Sequence, residues 1–144
     1  MTGVLALPQP ARLVPRLLSG LYEGLLLVGV VMLAGFVLAP VGKGMGLSGG
    51  DLRTYNRAWI LLVLSLYFLW FWLHGGQTLP MKTWRIRLCR ADGAPLPFEI
   101  ALLRLALVFA GWGLGGLHFL WAIFDRDGQF LHDRIVGSRI VQLE

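Results

Sequence analysis

Residues 17–39 form an apolar run long enough to cross the hydrocarbon core of a bilayer, which takes about 20 residues of helix, yet the run carries a carboxylate, Glu23. In lipid an unpartnered carboxylate is neutralised rather than left charged, so ionisable residues in such runs face a protein interior and pair. Arg16, Gly20, Glu23, Gly24 and Leu27 recur at three- and four-residue spacing and share one helix face. Gly20 and Gly24 make a GxxxG pair, which lets another backbone approach closely. This face is therefore expected to pack against protein and to supply a partner for Glu23.

Two further apolar runs follow. Residues 58–74 are dense in leucine and aromatic residues and carry no charge, which suits a lipid-facing structural helix. Residues 98–124 hold Glu99 and Arg104 in their first turns, so 104–124 is the third span candidate. Gly111, Gly113, Gly115 and Gly116 at its middle predict a kink, a re-entrant break or a close packing face, with Gly111 and Gly115 as packing positions. With 56% hydrophobic and only 15% charged residues, the chain is too apolar for an ordinary soluble domain. The expected fold is one all-α membrane domain over 1–144 with three apolar segments.

The intervening stretches carry the polar residues. Residues 1–15, with Pro8, Pro10 and Pro15, predict an irregular lead-in. Residues 40–57 are rich in glycine and serine and predict a flexible loop. In the loop 75–98, Trp84, Ile86 and Leu88 alternate with Arg85, Arg87 and Cys89, the period of a half-buried strand. A second alternating piece, residues 138–142, lies in the polar tail 125–144, so the two can pair as a short β-ribbon if they share a side of the membrane. The single cysteine, Cys89, excludes an internal disulfide.

The net charge of +5 comes from basic residues in the gaps between apolar runs, the pattern of membrane flanks rather than of a nucleic-acid surface. Three simple spans divide these residues six against six, with no orientation signal; a re-entrant third run divides them nine against three. Length favours three segments with the third broken, and the side of the tail stays open. In either case the first and third runs start on one side. Glu23 and Arg104 then both lie roughly 10 Å deep, and are expected to form an ion pair, with Arg16 as the second candidate partner.

The motifs resemble, along nearly the whole chain, the RDD family of small bacterial membrane proteins, named for one arginine and two aspartates. Arg16 matches the arginine that opens the first helix, and Glu23 stands where the family has its first aspartate. Gly76-Gln77-Thr78 followed by Lys82 resembles the motif after the second span. Asp125-Arg126, then Leu131-His132-Asp133-Arg134, resembles the closing motif, with Asp133 as the second aspartate and Asp125 as the alternative. Glu23 is one methylene longer than aspartate, and Pro80 replaces a common glycine. The resemblance implies a multi-pass protein of the bacterial inner (cytoplasmic) membrane with a suspected transport role.

Three functions compete. The first is transport of an ion or small solute, with Glu23 as a proton- or cation-binding carboxylate. Three helices cannot enclose a water path alone, so a transporter this small needs a homo-oligomer or a larger membrane complex. The second is a non-catalytic scaffold or assembly subunit whose charges only hold the fold. The third, an enzyme using Asp125, Asp127, His132 and Asp133, has no defensible metal or hydrolase spacing; a structural exchange of hydrogen bonds between Asp133 and Gln77 or Thr78 is favoured over it. No enzyme, metal, cofactor or nucleic acid is expected, the bilayer is the expected surrounding, and His74 and His118 are read as packing residues.

Overall fold

The structure is a computed structural model and describes residues 9–143. Two helices, α1 (Leu13–Gly44) and α2 (Gly49–Leu73), are long and apolar enough to cross a membrane. Both outrun their apolar cores, and the flexible loop expected over 40–57 contracts to residues 45–48. Gly42 explains the difference. A Cβ there would stand 2.8 Å from the Tyr55 ring and 2.9 Å from Leu52 Cδ1. A glycine of the predicted loop is thus the point where α2 packs against the end of α1.

After α2 come α3 (Leu79–Thr83) and β1 (Ile86–Arg90). The third apolar run is two helices, α4 (Phe98–Gly113) and α5 (Leu117–Phe124), bent by 100° at their junction. Gly115 and Gly116 take φ of +73° and +81°, a left-handed pair that breaks the helix and that other residues avoid. By length and composition the number of spans is two, or three if this bent pair is counted as one. Because α4 starts at Phe98, Arg104 stands well inside the helix rather than at the start of a span over 104–124.

The tail folds as α6 (Leu131–Val136), ended by Gly137 at φ +69°, and β2 (Ser138–Gln142). The two strands pair antiparallel with Leu88 opposite Ile140 and Cys89 opposite Arg139, so the chain is mainly helical with a two-stranded ribbon. Alternation places Ile86, Leu88 and Ile140 on the buried face. The amino end joins the same ribbon: the Ala11 amide donates to the Ile140 carbonyl at 2.9 Å, and the Gln142 amide to the Gln9 carbonyl at 3.1 Å. Residues 1–8 of the expected lead-in lie outside the described residues.

Gly76 ties this layer to α2. Its carbonyl accepts the Leu88 amide at 2.7 Å, its φ is +70°, and a Cβ on it would overlap the Leu88 carbonyl oxygen. No other residue fits that position without moving β1. The core joins Phe68 and Trp72 of α2, Met81 of α3, Ala101, Leu105 and Val108 of α4, and Leu88 and Ile140 of the ribbon. The opposite face of α1 (Leu21, Leu25, Phe36) is well exposed, as suits a surface turned to lipid.

Candidate functional site

Arg104 is the most heavily committed charge in the molecule. Its Nε donates to Asp133 Oδ1 at 2.8 Å, and both side chains are buried. Its Nη2 donates to His132 Nε2 at 3.3 Å, and its guanidinium lies 4.2 Å from the Trp72 ring centroid. Ser138 Oγ donates to the same Asp133 oxygen at 2.9 Å. The left-handed turn at Gly137 makes this possible, since it reverses the chain straight after α6 and returns Ser138 over Asp133. Burial alone would raise the Asp133 pKa, but Arg104, His132 and the Ser138 hydroxyl outweigh it and hold the carboxyl below its ordinary value. Burial pushes His132 down to about 3 from an ordinary 6.5, with Arg104 and His118 adding to the effect and Asp133 opposing it. His132 is therefore neutral at pH 7, with Nε2 as the acceptor.

The Glu23–Arg104 ion pair is not formed. Glu23 accepts hydrogen bonds from Tyr67 Oη of α2 at 2.9 Å and from Thr78 Oγ1 at 2.7 Å. Glu23 and Arg104 do line one cavity, but Asp133 arrives from the tail and takes Arg104. The second span is accordingly not a purely lipid-facing helix, because it supplies Tyr67, Phe68 and Trp72 to this interior. Nothing in the sequence marked Tyr67, one of two hydroxyls, with Ser65, in that apolar run.

Arg16 is buried and meets only carbonyls: Nε donates to Arg12 O at 3.4 Å and Nη2 to Asp127 O at 3.3 Å, with Phe130 stacked at 5.9 Å. No carboxylate among the described residues lies within 4.0 Å of it. The turn it holds is built by Asp125, whose Oδ2 accepts the Asp127 and Gln129 amides while Oδ1 meets Arg134 at 2.8 Å. The Gln129 amide first, then Arg134, hold the Asp125 carboxyl below its ordinary value. Of the two candidates for second aspartate, Asp133 is the one at the buried centre and Asp125 shapes the turn.

The expected exchange between Asp133 and Gln77 or Thr78 is absent. Gln77 Nε2 instead donates to the Ile86 carbonyl at 2.8 Å and fixes β1, Thr78 serves Glu23, and Lys82 stands exposed on α3. The glycines also depart from the packing roles expected of them. An added Cβ at Gly20, Gly24 or Gly115 would meet nothing within 4 Å, so these positions touch no neighbouring helix. Gly111 does allow a close approach, but by the His118 ring of its own run. Both His118 ring nitrogens are buried without a partner, so His118 is a packing residue whose polar atoms go unmet.

Gly20 and Gly24 instead form part of the wall of a cavity of about 310 Å³ between α1 and α4. Its polar lining is Arg16, Ser19, Glu23, Arg104 and His132, and its aromatic lining is Phe68, Trp72, Trp112, Phe119 and Phe130. Of the residues singled out in the sequence, Arg16, Gly20, Glu23 and Gly24 of the first run, Arg104 of the third and His132 of the tail line this volume, while Gly76, Gln77, Thr78, Lys82, Gly111, Gly115, Asp125 and Asp133 do not. The sequence model of the RDD family matches residues 10–137. No protein of curated function and no solved structure matches the chain.

Replacing Asp133 by Asn strands the buried Arg104 charge, which costs about 3–5 kcal/mol. Thermal unfolding in detergent should show Asp133→Asn melting roughly 10 °C or more below the parent, with Glu23→Gln far milder because hydroxyls rather than a cation face that carboxylate. Equal effects of the two would contradict the assignment. The pH profile supplies an independent check. The folded pKa of His132 lies below its unfolded value, so the stability it contributes is present above pH 6.5 and is lost as pH falls toward 3. The slope approaches about 1.4 kcal/mol per pH unit. The loss tied to Asp133 begins lower, below about pH 3.9. His132→Gln should flatten the decline in melting temperature between pH 6.5 and 4.5; an unchanged slope would refute a neutral buried His132.

Proposed function

Since the chain belongs to the RDD family, we propose that it is a multi-pass protein of the bacterial inner membrane that binds and moves an ion or small solute through the cavity between α1 and α4. The observation that carries this reading is the convergence of Arg16, Glu23 and Arg104 on one cavity at the depth of the apolar runs. Charge is disfavoured in that setting, and where it persists it marks a pathway more often than not. Arg104 is locked to Asp133. Glu23 and Arg16 are not locked: one is held by two hydroxyls and the other by two carbonyls, so either can exchange its partners for a passing ion or solute without stranding a counter-charge.

Topology supports the same reading. We take α1 and α2 as the crossings and the α4–α5 pair as a re-entrant hairpin. The ribbon joins the amino end, β1 and the tail in one layer, and the 100° bend returns α5 toward the turn that holds Arg16. That side then carries Arg12, Arg16, Lys82, Arg85, Arg87, Arg90, Arg126, Arg134 and Arg139, against Lys43, Arg53 and Arg57 on the other. Nine against three is a positive-inside signal and supports a cytoplasmic side for the layer. Two crossings and a hairpin cannot enclose a water path, so the working unit is a homo-oligomer or a larger complex, with the exposed α1 face available to a second subunit.

The test is cation- and proton-coupled flux in liposomes reconstituted with the intact protein and with Glu23→Gln. Flux should fall about tenfold or more in the variant, the equivalent of about 1.4 kcal/mol at the rate-limiting step, while the melting temperature stays close to the parent. Flux indifferent to Glu23→Gln would leave the charges structural and the protein a scaffold.

A further inference from the structure

The cavity is much larger than a dehydrated ion needs. At about 310 Å³ it holds roughly ten times the volume of one water, about 30 Å³, and falls at the size of pockets that take organic ligands. It also does not end at its charged lining. A second groove of about 330 Å³ shares Gly24, Leu27 and Trp112 with it and continues along α1 past Val28, Val31 and Met32, over Leu64 of α2. No charged residue lines this continuation. From Arg16 to Met32 the combined cleft follows about 24 Å of helix, more than one leaflet of a hydrocarbon core about 30 Å thick.

Three features define what fits. At one end is Arg16, a buried cation without a carboxylate within 4.0 Å among the described residues, one turn beyond the exposed Arg12. A cation so placed favours a ligand that brings an anionic group. Along the middle, Gly20 and Gly24 are exposed and have nothing within 4 Å of an added Cβ, so α1 leaves the flank of the cleft open where other helices would place side chains. At the far end the walls are aliphatic, with Trp112 between the two volumes. Glu23, about 10 Å further along α1 than Arg16, is held by two hydroxyls and offers an anion no counter-charge, so the headgroup stays at Arg16.

We propose that the cleft between α1 and α4 binds a single-chain anionic amphiphile drawn from the bilayer, with its anionic group at Arg16 and its acyl chain along Gly24, Leu27, Val31 and Met32. This rests on reading the cavity as a binding site and names its ligand class. It does not depend on whether the ligand is then moved.

Binding is measured directly, apart from flux, by native mass spectrometry of the detergent-purified full chain. The probes are palmitate and palmitoyl-lysophosphatidylglycerol, with lysophosphatidylcholine and monopalmitoylglycerol as zwitterionic and neutral controls. Two variants separate head from chain. Gly24→Leu places a side chain in open space on a regular helix, so it folds and fills the mouth of the groove. Arg16→Gln removes the charge at the head. The anionic probes should bind the parent about tenfold or more tightly than the controls, the worth of one charge-assisted contact of about 1.4 kcal/mol. Gly24→Leu should weaken every probe, and Arg16→Gln should erase only the preference for anionic heads. Equal binding of all four probes to the parent, or binding untouched by Gly24→Leu, overturns the proposal. Ion flux that survives alongside either result would leave the transport reading standing without this ligand. Binding as expected with no flux would do the reverse.

Discussion

The ion pair between Arg104 and Asp133 holds the two least regular parts of the chain to each other. Arg104 stands inside α4, and Asp133 lies in a short helix of a polar tail that would otherwise have no reason to approach it. Buried pairs of this kind contribute little net stability compared with an apolar contact, because desolvation offsets attraction. Their strength is in what breaking them costs, and so in specifying one arrangement. Here the arrangement specified is a third apolar run bent by 100° between α4 and α5, with α6 packed against both helices and leading into β2. Trp72 beneath the guanidinium and Ser138 above the carboxylate leave few other geometries for the pair.

With Arg104 satisfied from the tail, the other two charges are released from pairing. That division explains the character of the cavity. A site in which every charge met its opposite would be a lock. In this site Glu23 meets hydroxyls and Arg16 meets carbonyls, and neither has an oppositely charged group within 4.0 Å among the described residues. The glycines serve the same end, since Gly20 and Gly24 keep α1 clear of side chains where the cavity opens.

Much of this was legible in the sequence, and the departures have physical reasons. Alternation in residues 84–89 and 138–142 announced the ribbon, because a period of two has few other uses beside apolar runs. That Glu23 and Arg104 approach one cavity was legible from their similar distance into their runs, yet the partner of Arg104 was not, because that distance says nothing of which segment returns to meet it. Gly42 read as a loop residue and proved a contact. Gly20 and Gly24 read as a contact and proved an opening. A small residue reports that something must come close or that space must be left, and only the neighbouring elements decide which. Tyr67 was hidden because its ring suits an apolar run and nothing in the sequence set its hydroxyl apart from that of Ser65.

The re-entrant reading of the third run underlies the proposed orientation, and one labelling experiment tests it directly. Single cysteines are placed in a Cys89→Ser background at three exposed positions: Gly46→Cys between α1 and α2, Ala91→Cys after β1, and Arg126→Cys after α5. A membrane-impermeant maleimide is then applied to intact cells and to inverted vesicles. Positions 91 and 126 should be labelled together in inverted vesicles, and position 46 in intact cells. If position 126 is labelled with position 46 instead, the third run crosses the bilayer and the re-entrant account is wrong.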